Sequence, residues 1–384
     1  MNLNAFSFTA PNAIHFGRGS RSKAAELAAT FGRSVLVVHG ATSKRAEWLL
    51  EDCANAGLAV QTTACNGEPD LPLLEAALPG IKTTTPDVII ALGGGSVMDF
   101  AKALAALVPC AGAPRSYLEV VGDGRSLDAA PLPVIALPTT AGTGSEVTRN
   151  AVITVPDRAI KVSLRDPRMI PRAAIVDADL MEGAPKSVIL AAALDAVTQV
   201  IEPYLSVKAN PMTDALCRAA IAEGVATLRP LIEDNSAEAL DRMAWVSTCG
   251  GLALANSGLG AVHGFAGVIG GMTNAPHGEI CGALLPAVLA SHRQKAPQGS
   301  RIAERTGWVL ELINEAFATG DQPDGVLALQ DWSRTNGLRG LSAMGLEPSK
   351  FAQTAALSAG ASSMKGNPFP LSQSELVAIL EQAA

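Results

Sequence analysis

The chain has 384 residues, of which 48% are hydrophobic and 17% charged, so it is long and apolar enough for two domains. Its net charge is −7 and it contains no basic stripe, so neither nucleic acid nor an anionic membrane is expected as a partner. Six scattered cysteines without a C-x-x-C pair are typical of reduced thiols in a cytoplasmic protein. Residues 1–30 lack the basic and apolar pattern of a signal peptide.

The N-terminal half alternates short apolar runs with helical segments. After one or two short strands and a turn over 5–19, strands are predicted at 34–38, 58–62, 87–92 and 133–137, and helices at 22–29, 44–56, 71–78 and 97–107. Short strands at 151–154, 161–163 and 174–177 follow. Strands that alternate with helices at this pace predict a mostly parallel, doubly wound sheet.

The pattern becomes helical after Pro185, with interruptions predicted at Pro203, Pro211 and Pro230. We therefore predict an α/β dinucleotide-binding domain over 1–182 and an all-helical metal-binding and catalytic domain over 183–384. The stretch 249–276 carries no charge apart from a histidine, but eight glycines interrupt it. This pattern indicates buried, closely packed helices and not a membrane span.

A glycine-rich turn, residues 93–96, follows the predicted strand 87–92 and opens a helix. The N–H groups and the dipole at a helix N-terminus favour a phosphate, and glycine lets the backbone approach it closely. A second loop, 138–146, is rich in Thr, Ser and Gly and follows the next strand at the same edge of the sheet. We predict nucleotide binding at these loops; a plain tight turn and an exposed polar loop are the alternative interpretations.

Asp195 and Gln199 lie four residues apart on a predicted helix, so their side chains share one face. His263 and His277 follow in apolar or glycine-rich surroundings. One carboxylate and two imidazoles are the ligand types that hold a catalytic divalent metal with an open position. The competing interpretation is a surface carboxylate with two structural histidines. The apolar surroundings favour the metal site, because a buried charge needs a partner.

Four ordered motifs, at 93–102, 138–147, 195–202 and 270–278, resemble those of the iron-containing (group III) alcohol dehydrogenases, and the resemblance covers essentially the whole chain. It implies the dehydroquinate synthase-like architecture of that family. An N-terminal dinucleotide-binding α/β domain and an all-helical C-terminal domain would enclose a cleft in which a metal and a nicotinamide meet. The family also implies a homodimer or a larger homo-oligomer.

The same resemblance implies roles for individual residues. The pyrophosphate would be held by Gly94, Gly95, Ser96 and Asp99. The rest of the cofactor would be contacted by Thr139, Thr140, Thr143, Ser145, Lys161, Gly40, Ser43 and Leu180. One divalent metal, Fe²⁺ or Zn²⁺, would be bound by the catalytic residues Asp195, His263 and His277, with Gln199 at the position of the fourth ligand.

Two residues depart from the family pattern, and one segment bears on the choice between NADH and NADPH. The family usually has His at the position of Gln199, and a neutral amide is a weaker ligand; an Asp/His/His site with water would resemble that of zinc-using glycerol dehydrogenases. Gly267 replaces a histidine that is associated with proton transfer. After the strand 34–38, residues 39–45 contain no acid but two cations, Lys44 and Arg45, which resembles NADPH-using members. NADPH is therefore favoured over NADH, unless these cations merely start a solvated helix.

We expect a cytoplasmic, NAD(P)-dependent alcohol dehydrogenase, or aldehyde or ketone reductase, that acts on a small alcohol and carbonyl pair with a metal as Lewis acid. Two alternatives remain open. One is a maleylacetate-reductase-like enzyme that reduces a small dicarboxylate without a strict metal requirement. The other is a catalytically impaired nucleotide-binding homologue. The intact set of Asp195, His263 and His277 favours the first function, whereas Gln199 and Gly267 motivate the alternatives.

Overall fold

The computed structural model describes residues 5–158 and 160–384, which form two compact units. The α/β unit comprises Ala10–Thr140 and Gly144–Glu182. The helical unit comprises Gly183–Ala384 together with Ala141–Thr143 and residues 5–9. Residues 5–9 join the helical unit because Asn256 exchanges two hydrogen bonds with the backbone of Thr9, at 2.6 and 2.8 Å. Residues 1–4 and 159, which belong to the predicted N-terminal domain, lie outside the described residues.

The α/β unit is built on a six-stranded parallel sheet. Its strands are β1 (Ala13–Phe16), β2 (Ser34–His39), β3 (Ala59–Ala64), β4 (Val88–Gly93), β5 (Val134–Pro138), β6 (Asn150–Val155), β7 (Ile160–Arg165) and β8 (Ala173–Val176). Its helices are α1 (Ala24–Ala29), α2 (Glu47–Asn55), α3 (Leu71–Thr83) and α4 (Gly95–Leu107). The parallel sheet has the order β1-β8-β5-β4-β2-β3, and β6 pairs with β7 as an antiparallel hairpin. The predicted mostly parallel sheet is confirmed.

Strand β4 shows why continuous apolar runs become central strands here. Ile89 and Ala91 belong to the core on one face of the sheet, together with Phe100 of α4. Ile90 belongs to the core on the other face, together with Leu49 of α2. Since helices cover both faces of the sheet, the strand is apolar throughout and does not alternate apolar with polar residues.

Three prolines lie inside helices that were predicted to end before them. Helix α3 continues through Pro79 to Thr83, although the prediction ended it at Leu78. Pro79 is exposed, so the backbone carbonyl one turn earlier, which loses its hydrogen-bond donor, can be solvated. Pro203 and Pro230, predicted as interruptions, lie in the last turns of their helices, where few backbone bonds remain to be broken.

The helical unit packs around one long apolar helix. Its helices are α5 (Lys186–Leu205), α6 (Pro211–Glu233), α7 (Ala237–Ser257), α8 (Ala261–Thr273), α9 (His277–Lys295), α10 (Arg301–Phe317), α11 (Gly325–Thr335), α12 (Phe351–Ala359) and α13 (Gln373–Ala383). Helix α5 packs against α6, α7 and α9. By length and composition α5 could cross a membrane, but 83% of its most apolar window is buried within the protein, as in the core helix of a globular unit. The glycine-rich stretch covers the end of α7 and the whole of α8, and these two helices are bent by 98° at their junction.

Candidate functional site

The glycine-rich turn and the Thr/Ser loop begin side by side at one edge of the parallel sheet. Gly93 is paired with Pro138, and the backbone N–H of Thr139 donates to the Gly93 carbonyl at 3.0 Å. A Cβ on Gly94 would lie only 3.2 Å from Thr140 Oγ1, so glycine lets the two loops approach. Because Gly94 has no side chain that caps α4, the first N–H groups of this helix suit an anionic ligand.

The end of β2 joins the same edge. His39 is paired with Leu92 of β4, so Gly40 follows next to the glycine-rich turn. The Nδ1 of His39 donates to the Gly40 carbonyl at 2.7 Å. Ser43–Ala46 then forms a 3₁₀ turn whose exposed residues 43–45 contribute one hydroxyl and two cations. This segment has the position at which dinucleotide-binding sheets contact the adenosine ribose.

Asp99 and Ser145, which were predicted to contact the cofactor, belong to a buried network around Lys102. The Lys102 ammonium is 1% exposed and donates to the Ser145 carbonyl at 3.0 Å, to Ser145 Oγ at 2.7 Å and to Thr148 Oγ1 at 2.9 Å. Ser145 Oγ donates to Asp99 Oδ1 at 2.7 Å, and Asp99 Oδ2 accepts from the backbone of Val152. Burial lowers the pKa of Lys102, although Asp99 opposes this shift. The network holds α4 against the polypeptide that leads into β6.

The remaining predicted cofactor residues lie in different surroundings. Lys161, on β7, is largely buried and forms an ion pair with Glu68. Leu180 lies in a short 3₁₀ turn after β8 and packs against the core of the sheet. Thr143 belongs to the helical unit, where its carbonyl accepts a hydrogen bond from Gln199 Nε2 at 2.6 Å. The structure thus groups Gly40, Gly94, Gly95, Ser96, Thr139 and Thr140 at one edge of the α/β unit.

Four donor atoms from three helices converge inside the helical unit. Asp195 of α5, His263 of α8, and His277 and Cys281 of α9 each contribute one, and all lie within 4.8 Å of one another. Asp195 Oδ1 is 3.4 Å from His263 Nε2 and 3.7 Å from His277 Nε2. Asp195 and His263 are buried, whereas 35% of the His277 side chain is exposed. The structure therefore brings together three of the four predicted metal ligands.

Glycines on α9 allow this convergence. A Cβ on Gly278 would lie 2.4 Å from the carbonyl oxygen of Ala191, and one on Gly282 would lie 2.7 Å from Leu194 Cδ1. Both contacts are with α5, so the first turn of α9 packs directly on that helix. Because Gly278 directly follows His277, this close packing carries the imidazole to Asp195.

The cluster has the electrostatic character of a cation site. Asp195 Oδ1 is buried and has no hydrogen-bond donor among the described residues, although such an oxygen is costly to leave unpaired. Burial raises the pKa of Asp195, but His277, His263 and Cys281 together outweigh this effect, and the pKa lies below its ordinary value. Burial lowers the pKa of His277, yet Cys281 and Asp195 raise it to about 9. The donor set thus favours positive charge in its midst, and a divalent metal fits it.

A buried carboxylate outside the cluster orients one of its imidazoles. Glu202 accepts from His263 Nδ1 at 2.7 Å and from the backbone of Val262 at 2.6 Å. A Cβ on Gly260 would lie 2.9 Å from the same carboxylate, so glycine makes room for it. A proton on Nδ1 leaves the Nε2 lone pair directed at the cluster. In many metal sites a carboxylate orients a histidine ligand in this way.

Glu202 and Cys281 were not predicted as site residues from the sequence. Glu202 follows Asp195 by seven residues, which is two helical turns, and is a charged residue in a mostly apolar helix. Cys281 follows His277 by four residues and so shares its helix face. Their spacing was visible, but Glu202 and Cys281 also suit a buried ion pair and a core thiol. Gln199, the predicted fourth ligand, stays a prediction; its amide nitrogen is bound to the backbone of Thr143.

A parallel sheet with a glycine-rich turn at its edge and a helical unit with a carboxylate and imidazole cluster are both expected of metal-assisted, nucleotide-dependent dehydrogenases. Residues 11–178 match the family described as "Iron-containing alcohol dehydrogenase". Residues 189–384 match "Fe-containing alcohol dehydrogenase family, C-terminal". The chain therefore belongs to the iron-containing alcohol dehydrogenase family, as the four motifs predicted.

Individual relatives agree with this assignment. Alcohol dehydrogenase 4 of Saccharomyces cerevisiae is 30% identical over 321 residues, which are 82% of this chain and 80% of that protein. Alcohol dehydrogenase 4 of Schizosaccharomyces pombe is 37% identical over 223 residues, 57% of this chain and about half (51%) of that protein. A solved structure of 1,3-propanediol oxidoreductase matches 99% of this chain and 100% of its own, with a TM-score of 0.87 and 26% identity. The chain is thus an oxidoreductase of the class that acts on CH–OH donors.

Proposed function

We propose that this protein interconverts a small alcohol and its aldehyde or ketone with NADP(H) and one divalent metal, bound by Asp195, His263 and His277. The observation that carries the proposal is the buried Asp195 oxygen, which has no hydrogen-bond donor among the residues that the structure describes and lies next to an imidazole oriented by Glu202. A metal bound there would polarise the substrate oxygen as a Lewis acid, while the dinucleotide carries the hydride.

The residues around the cluster have distinct proposed tasks. Asp195 offsets cationic charge, and Glu202 keeps His263 in the tautomer that presents Nε2. His277 is about a third exposed, so a small molecule can reach the cluster on its side. Gly267 lies one turn after His263 on α8 and carries no titratable group. The substrate hydroxyl proton would therefore leave through water or a cofactor hydroxyl.

The proposed cofactor site is the edge of the sheet where β2, β4 and β5 end. Gly94, Gly95 and Ser96 would face the pyrophosphate at the N-terminus of α4, and Asp99 would hold this helix in place. Further proposed contacts are Gly40, Ser43, Thr139, Thr140, Thr143, Ser145, Lys161 and Leu180.

A preference for NADPH rests on the segment after β2. Dinucleotide sites that select NAD place an acid there, which binds the ribose hydroxyls and repels a 2′-phosphate. Residues 40–45 contain no acid, and Lys44 and Arg45 are exposed. Replacing both cations with Ala should raise the KM for NADPH by about ten- to hundredfold, the worth of a charge-assisted contact, and leave that for NADH unchanged. Lys23→Ala, another exposed cation of the same unit, is the matched control.

The experiment that tests the function is a rate measurement with both cofactors on a panel of short alcohols, aldehydes and maleylacetate. The panel is run on chelated enzyme and after addition of Fe²⁺ or Zn²⁺. We expect turnover of alcohols or aldehydes that is lost on chelation and restored by metal. Metal-independent reduction of maleylacetate alone would favour the second candidate, for which Gln199 at a ligand position is the specific observation.

We also propose a cytoplasmic homodimer or larger homo-oligomer. All six cysteines are free and buried, as is typical of a reducing compartment. Ile14 and Phe16 are exposed on β1, an edge strand of the sheet, and an apolar edge of this kind is usually covered by a partner. Light scattering that gives the mass of a monomer would contradict the assembly.

A further inference from the structure

Cys281 takes part in the cluster although the Asp/His/His donor set does not require it. Its sulfur lies 3.6 Å from His277 Nε2 and 3.9 Å from His263 Nε2. The residue is fully buried. It stands one helical turn after His277 on α9, so both side chains point towards Asp195 from the same helix.

The separations between the donors agree with the size of one tetrahedral metal site. With metal–sulfur and metal–nitrogen bonds of about 2.3 and 2.05 Å, a tetrahedral ion separates S from N by ~3.6 Å, and N from a carboxylate oxygen by ~3.4 Å. The observed S to N distances are 3.6 and 3.9 Å, and the N to O distances are 3.4 and 3.7 Å. All four pairs are thus within about 0.3 Å of the separations that one bound ion requires.

One observation points to a ligand at the centre of these atoms, and another favours Cys281 over Gln199 as the fourth donor. The first is Asp195 Oδ1, which is buried, lies within the cluster and has no hydrogen-bond donor in the described part of the chain. The second concerns Gln199, whose amide nitrogen is bound to the Thr143 carbonyl and whose amide oxygen is a neutral, weaker donor. The sulfur of Cys281 is therefore the stronger candidate for the fourth position.

We propose that Cys281 binds the metal as a thiolate and is the fourth protein ligand beside Asp195, His263 and His277. On binding, the thiol loses its proton to solvent and no electron is transferred. A donor set with one thiolate and two imidazoles is typical of Zn²⁺, so this site selects Zn²⁺ over Fe²⁺. The inference rests on the proposed metal site, which it extends by one ligand and a metal preference.

Cobalt tests the assignment directly, since Co²⁺ occupies tetrahedral zinc sites and reports sulfur ligands by a thiolate-to-metal absorption band in the near ultraviolet. Purified protein is chelated, loaded with Co²⁺ without oxygen and compared with Cys281→Ser. The matched control is Cys249→Ser, which changes another buried cysteine of the helical unit. We expect the band in the wild type and in Cys249→Ser, and its loss in Cys281→Ser with Co²⁺ still bound.

Co²⁺ bound to the wild type without this band would overturn the role of Cys281 and leave the proposed function standing. A wild type that binds neither Co²⁺ nor Zn²⁺ would overturn both. If Cys281→Ser does not fold, X-ray absorption of the Zn²⁺-loaded wild type decides without a variant. One sulfur beside nitrogen and oxygen scatterers supports the proposal, and no sulfur refutes it.

Discussion

Replacing Glu202 with Gln should weaken metal binding without removing a ligand. The carboxylate accepts from His263 Nδ1 at 2.7 Å and from the Val262 backbone at 2.6 Å. A Gln side chain of the same shape can still accept from Val262, but its NH₂ group then faces the Nδ1–H of His263. The imidazole escapes this donor–donor contact by moving its proton to Nε2, the atom that we propose binds the metal.

The expected magnitude follows from two estimates that agree. Removing the hydrogen-bond partner of a metal-binding histidine costs about ten- to hundredfold in affinity, or about 1.4–2.7 kcal/mol. Losing a hydrogen bond to a charged group inside a protein costs about 1.5–3 kcal/mol. Since Glu202 is buried, solvent cannot replace the lost partner. We therefore expect the dissociation constant for Zn²⁺ to rise roughly thirtyfold.

The assay is a competition titration of metal-free protein against a chromophoric zinc chelator, with circular dichroism as the test of folding. Glu233→Gln is the matched control, because this carboxylate also accepts a short hydrogen bond in the helical unit, from Trp332 at 2.6 Å. Equal zinc affinities of folded Glu202→Gln and Glu233→Gln would refute the claim that Glu202 sets the tautomer of His263.

Further predictions concern stability, measured by urea unfolding. Gly267→Ala should stabilise the protein by about 0.5–1 kcal/mol, because a Cβ there meets no atom within 4 Å on helix α8. Gly264→Ala, on the same helix, should gain less or lose stability, because its Cβ would lie 2.9 Å from Met364 Cε; a larger gain at Gly264 would contradict this packing. Burial lowers the pKa of His292 from 6.5 to about 4, so between these pH values the histidine is protonated in the unfolded chain but neutral in the folded protein. Stability should therefore fall as the pH drops from about 6.5 to 4, by roughly 3 kcal/mol relative to His292→Gln, and a constant difference between the two would exclude a neutral, buried His292.

The α/β unit was largely predictable because its central strands are buried on both faces. Runs such as Val88–Gly93 have no polar alternation, and glycines or helix-forming segments follow them directly. The helix ends were harder to place, since Pro79 is tolerated only because it is exposed. The assignment of Thr143 to the helical unit could not be foreseen, because it depends on a hydrogen bond from Gln199, 56 residues away.

The candidate metal site was predictable as residue types but not as an arrangement. Asp195 and His277 are far apart in sequence, and their approach depends on the close contact of Gly278 with α5. A Glu or a Cys in an apolar helix has several ordinary roles, so sequence alone does not assign Glu202 and Cys281. Their hydrogen bonds and distances to the two imidazoles distinguish them from other buried polar residues.

The most direct test of the account is the metal content of the purified protein, measured beside His277→Ala by elemental analysis. His277 is the partly exposed member of the proposed ligand set, so its replacement disturbs the core least among the three predicted catalytic residues. We expect about one equivalent of zinc or iron per chain in the wild type, and its loss from the folded variant. A wild type that holds no metal, even after reconstitution with each ion, would contradict the Lewis-acid function.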